Sequence, residues 1–157
     1  MLADSVHPYS TNSYDYTRNW DHLLGAGYNL MLACGWHTMK FDWSEGPLAE
    51  GLRLYDAGEF FNAHEEWESV WLRAPEPEKT FLQGLIQVTA AFHHLQRDNR
   101  LGAMLLLQAA LRRLVRYPHS FGGISVSLLR DDISERLLML ETGEPPSNLV
   151  SPRIRPS

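Results

Sequence analysis

A chain of 157 residues with 44% hydrophobic and 21% charged side chains falls in the range of one ordinary globular domain, long enough to bury a core. Its formal net charge of −5 argues against nucleic acid as the main partner. No run reaches the ~18–20 apolar residues that a membrane helix needs, and the single cysteine, Cys34, excludes an intramolecular disulfide and suits a reducing, cytoplasmic compartment.

The charge is unevenly spread. Residues 1–78 hold 4 basic and 13 acidic side chains, whereas residues 79–157 hold 10 and 6. Arg97, Arg100, Arg112, Arg113 and Arg116 lie close in sequence and offer an anion site. The plainer reading is preferred: Arg112, Arg113 and Arg116 sit in the last turns of a helix, where cations complement its dipole.

Residues 1–38 mix Ser, Asn, Asp, Tyr and Gly without a sustained period. They read as an irregular extension, or as sequence upstream of a true start at Met39. The apolar stretch Leu23–Cys34 follows Asp4, Asp15 and Asp21 with Arg18 as the one cation, the wrong charge for a signal peptide.

Helical punctuation begins after Met39. Pro47 predicts the first turn of a helix that Gly58 stops, with Ser44 near its start. A second helix is expected over about 59–73, ended by Ala-Pro-Glu-Pro at 74–77. A third covers about 78–97. A fourth begins at the good N-cap Asn99 and ends before Pro118. After a loop at 118–124, Ser125 is placed to cap a fifth helix that closes at Gly143. Short connections favour antiparallel neighbours, so the expected fold is all-α: a compact bundle of about five helices over 39–143. The proline-rich tail, 144–157, reads as disordered.

The third helix is the central one. From Thr80 to Gln96 it carries no formal charge, and a helix without a charged side is usually enclosed all round. Phe81, Leu85, Val88, Phe92 and Leu95 share one face, and Leu82, Ile86 and Thr89 flank it. Gln83, Gln87 and His94 gather on a third face, where Gly84 and Ala90 would let a neighbouring helix come close. His93 points to the Ile86 flank and is expected to pack. A buried carboxamide or imidazole left unpaired costs on the order of 1–3 kcal/mol, so that face needs partners.

The second helix offers them. His64 falls inside its apolar stripe of Phe60, Trp67 and Trp71, Glu68 lies at the margin, and Glu65 lies farther round. An antiparallel turn at 74–77 sets Glu68 opposite residue 84, near Gln83 and Gln87. It sets His64 opposite residue 88, while His94 falls opposite residue 58. The candidate polar site is therefore His64, Glu65, Glu68, Gln83, Gln87 and His94, with both imidazoles expected to be buried. One reading is a hydrogen-bonded core network. The other is a proton-transfer or divalent-metal site with His64, Glu68 and His94 as ligands, which would suit zinc, manganese or iron. His-Glu-x-x-Glu is not the His-Glu-x-x-His of zinc proteases and lends no support to that motif.

These residues also carry a resemblance. Phe61-x-x-His64-Glu65-x-x-Glu68-x-x-Trp71, Phe81-x-Gln83-Gly84-x-Ile86-Gln87, His94 and Asn99-x-x-Gly102-Ala103 follow one another in order. Tyr117-x-x-x-Phe121-Gly-Gly-Ile124-x-Val126-x-x-Leu129 comes after them. Over about 46–140 the chain resembles the prokaryotic family catalogued as domain of unknown function 309. The resemblance implies a compact all-helical fold and a domain beginning near Met39, and it implies no activity. The family often has an acidic cap where this chain has Ser125, a departure that still permits capping.

Two functions follow. One is a non-catalytic binding or interaction module, preferred because no complete catalytic set is visible. The other is a metal-assisted hydrolase using His64, Glu68 and His94. The candidate partners are a small molecule, a protein or a second copy of the chain. A site open to water beside His64 favours the enzyme, and a sealed, fully paired network favours the module.

Overall fold

Proline and glycine divide the chain close to the positions the sequence indicates. The structure is a computed structural model describing residues 39–156. The expected extension over 1–38 lies outside the described residues. Helices α1 (Gly46–Asp56), α2 (Phe60–Trp71), α3 (Glu78–Gln96), α4 (Arg100–Leu114) and α5 (Val126–Glu141) make an all-α bundle in which each helix packs on the next. Pro47 occupies the first turn of α1, and the Asn99 side chain accepts the Gly102 N–H at 2.9 Å to cap α4.

Two local expectations change. Ser125 is the residue before α5, but its side chain makes no capping bond. Asp42 rather than Ser44 organises the approach to α1, its Oδ1 accepting the Ser44 N–H at 2.9 Å and hydroxyl at 2.6 Å. The loop at 118–124 also contains a minimal antiparallel hairpin, β1 (Ser120–Phe121) with β2 (Ile124–Ser125). Gly122 and Gly123 turn it with φ of 59° and 80°, the left-handed pair that tight hairpins require.

The expectation of a disordered tail is corrected. After α5 the chain folds back: the Tyr55 hydroxyl donates to Pro152 O at 2.8 Å, and Arg136 Nε donates to Val150 O at 2.8 Å. Ile154 is buried, and Pro156 bridges Ile124 of the hairpin. Prolines stop a helix from continuing, but they do not stop an extended strand from docking where apolar side chains find a surface.

Both flanks of α3 are enclosed, by α2 on one side and α4 on the other. Phe60 meets Phe92 with ring centroids 5.5 Å apart, and Phe61 meets His93 at 5.5 Å, so the expected α2–α3 register is kept. Gly84 lets α4 close in, since a Cβ there would stand 3.0 Å from Leu114 Cδ2. Gly51 of α1 is tighter still. A Cβ there would clash with the Trp67 indole, while that indole N–H donates to Leu48 O at 3.1 Å.

Gly51→Ala should therefore lower stability by about 1–3 kcal/mol through overpacking, although alanine is the better helix former by ~1 kcal/mol. Gly84→Ala should cost less, because its Cβ would stand 3.0 Å from Leu114 and so would need a smaller shift. Denaturant midpoints compared at equal slopes check both. A Gly51→Ala protein as stable as the parent would show that Trp67 is not fixed there.

Candidate functional site

His64 stands in the apolar stripe of α2 because its neighbours Ala63 and Trp67 are wholly buried against the core. It is itself only 5% exposed. The next residue and the next turn lie at the edge of that stripe, so Glu65 and Glu68 reach back to the same imidazole from the solvent side. His64 Nδ1 is 3.3 Å from Glu65 Oε1 and 3.7 Å from Glu68 Oε2. The carboxylate side chains are 56% and 38% exposed, so their pairing with His64 is screened and contributes little stability.

The other members of the expected site go elsewhere. Gln87 is buried, and its Oε1 accepts from Arg113 Nη1 of α4 at 3.2 Å. Gln83 is half-buried on the same face of α3. His94 is half-buried rather than buried: Asn99 Nδ2 donates to its Nδ1 at 2.8 Å, and Gly102 lies against it. That bond holds His94 at the end of α3, apart from the cluster on α2. His94 does not join His64 and Glu68, whereas Glu65 does. Among the described residues these three form a group able to offer one donor atom each within 4.8 Å of one another.

The register was right and the face was not. The Gln83–Gln87–His94 face of α3 meets α4, whose small residues allow close contact, and α2 covers the adjoining flank. The imidazole on that flank is His93, which stacks near Phe61 and lies within electrostatic reach of His64. Arg113 lies in the last turn of α4 as expected, and it is also buried and donates to Gln87. Arg100 instead donates to Glu144 O at 3.1 Å and to Leu140 O. Arg112 and Arg116 are exposed, so the arginines do not converge on one anion site. The absence of any charged residue opposite Gln87 on α3 itself was the one sequence signal that its partner had to come from another helix.

These three residues are the described group that could hold a divalent ion. Nitrogen and oxygen ligands each about 2.1 Å from a metal stand about 3.0–3.4 Å apart, and the two His64–carboxylate distances bracket the upper end of that range. One imidazole and two carboxylates suit zinc, manganese or iron, and three protein ligands leave coordination positions facing water.

Residues 48–106 match a family described as "Domain of unknown function (DUF309)", the family that the spaced motifs resemble. The chain is 32% identical over 100 residues to an "Uncharacterized protein" of Aquifex aeolicus (strain VF5). That alignment covers 63% of this chain and 30% of the relative, so the chain spans less than a third of the relative's length. No helix among the described residues is long and apolar enough to cross a membrane.

Burial, then the Arg97 charge, lowers the pKa of both His93 and His94 below the ordinary imidazole value. An unfolded imidazole protonates near about pH 6.5, so at and just below that pH the unfolded chain binds more protons than the folded one. Stability should therefore be highest at neutral pH and fall as the pH drops through that value. Denaturant midpoints from about pH 7.5 to about pH 5.5 should show the decline, and the double variant His93→Gln, His94→Gln should flatten it. An equally steep decline in the variant would assign the effect to other groups.

Proposed function

We propose that the protein is a cytoplasmic helical binding module whose functional centre is a divalent-metal site at His64, Glu65 and Glu68. The observation that carries this reading is one buried imidazole with two solvent-facing carboxylate oxygens, at 3.3 Å and 3.7 Å, on a single rigid helix. Both carboxylates reach His64 from the solvent side, and Gln87 is satisfied by Arg113 rather than by this cluster. The open coordination side gives a small molecule or protein group a place to bind.

The same open side is what a metal-assisted hydrolase requires, and it is the observation that favours the second reading. Gln87 is committed to Arg113, and Gln83 lies on the α4-facing side of α3, so neither is placed to orient a substrate at this cluster. The binding module is therefore preferred.

Titration of the metal-free protein with Zn²⁺ or Mn²⁺ tests the proposal. One ion per chain should bind, and at 100 times Kd it should stabilise the fold by about 2.7 kcal/mol. His64→Leu should remain folded, since leucine suits the Trp67 stripe, and should lose the metal-dependent gain. Equal metal stabilisation of both proteins would refute the site. Hydrolysis of a simple activated ester by the metal-loaded parent but not by His64→Leu would move the reading to the enzyme.

A further inference from the structure

A second polar feature lies away from the α2 cluster. Segment 39–44 crosses in front of the hairpin and is pinned there, the Trp43 indole N–H donating to Gly122 O at 2.7 Å. The hairpin is tied in turn to the start of α3, where the Tyr117 hydroxyl donates to Pro77 O at 2.7 Å. Between them is a cavity of about 800 Å³, a size that suits a small organic molecule better than a bare ion.

Glu78, the first residue of α3, lines this cavity and is only 2% exposed. Its Oε2 is enclosed and has no hydrogen-bond donor among the described residues. The positive end of α3 favours a carboxylate there, but it supplies no hydrogen bond to Oε2. Lys40 also lines the cavity, but it is exposed and has Asp42 beside it to offset its charge. Phe41, Trp43 and Phe121 supply aromatic walls, with Phe41 and Trp43 5.9 Å apart and Phe41 and Phe121 6.1 Å apart.

We propose that this cavity binds a small organic ammonium ion, its charge held by the Glu78 carboxylate and its alkyl groups by Phe41, Trp43 and Phe121. A carboxylate at the floor with aromatic faces around it is the chemistry that recognises alkylated ammonium groups. A hard metal ion would need six or more oxygen ligands, which these aromatic walls do not provide. The site is independent of the metal centre proposed above.

Choline titrated into the full chain in the presence of a chelator tests this, with Trp43 fluorescence and calorimetry as readouts. The uncharged isostere 3,3-dimethylbutan-1-ol, matched in shape, is the control. Choline should bind saturably with one site per chain, and the neutral isostere at least tenfold more weakly. Glu78→Gln should weaken choline binding at least tenfold while the protein stays folded. Phe121→Leu, at a half-buried position, should weaken choline severalfold and serves as the second variant if Glu78→Gln does not fold. Absence of saturable choline binding, equal affinity for the isostere, or choline binding unchanged in the variants would each overturn the proposal.

Discussion

Helix α3 sets the terms for everything around it. From Thr80 to Gln96 it presents no formal charge to water, so every face must be covered or capped by another part of the chain. Helix α2 covers one flank through Phe60 and Phe61, and α4 covers the opposite one through Leu107, Ala110 and Leu114. Enclosure then forces the polar groups on α3 to find partners inside the protein. Gln87 does so by drawing Arg113 of α4 into the interior, which explains why a guanidinium is buried at all. Removing Arg113 would take from the buried Gln87 carbonyl the donor that it has there, at a cost of about 1–3 kcal/mol.

The position of the α2 cluster follows from the same enclosure. One side of α2 is fixed by aromatic contacts, with Trp67 near Tyr55 at 5.8 Å and near Trp43 at 6.4 Å. His64 shares that side, so its imidazole is desolvated. Glu65 and Glu68 lie where the helix turns toward solvent. The result is a steep change from apolar to aqueous surroundings across three neighbouring side chains. Such a gradient holds an imidazole in place while leaving its partners free to reorganise around an arriving group. A sealed core network would show no such gradient.

Segment 39–44 and the returning tail have a related role at the other end of the bundle. Trp43, Gly122 and Tyr117 fix a wall in front of α3, and Ile154 with Pro152 covers α1 and α5. Neither segment is helical, and neither contributes periodic apolar surface. Their contribution is to close edges that five short helices leave open. Glu78 departs from that economy: a buried carboxyl oxygen without a donor works against folding, and departures of this kind concentrate at binding sites.

The sequence by itself determined the helices, their order and most of their ends, because proline, glycine and Asn99 act through local backbone geometry. It also determined that α3 is central and that His64 is buried, because both follow from periodicity along one helix. The register of α2 on α3 was legible too, since a short turn leaves little freedom along the axis. Rotation about that axis was not legible. Which flank of α3 meets α2 depends on the summed fit of side chains from α2 and α4 together, so His93 rather than His94 comes near His64. The tail was misread for a similar reason: local composition says that proline ends a helix, but only the folded surface offers Ile154 a place to be buried. Nothing in the sequence singles out Glu78, because its place beside segment 39–44 and the hairpin exists only in the folded chain.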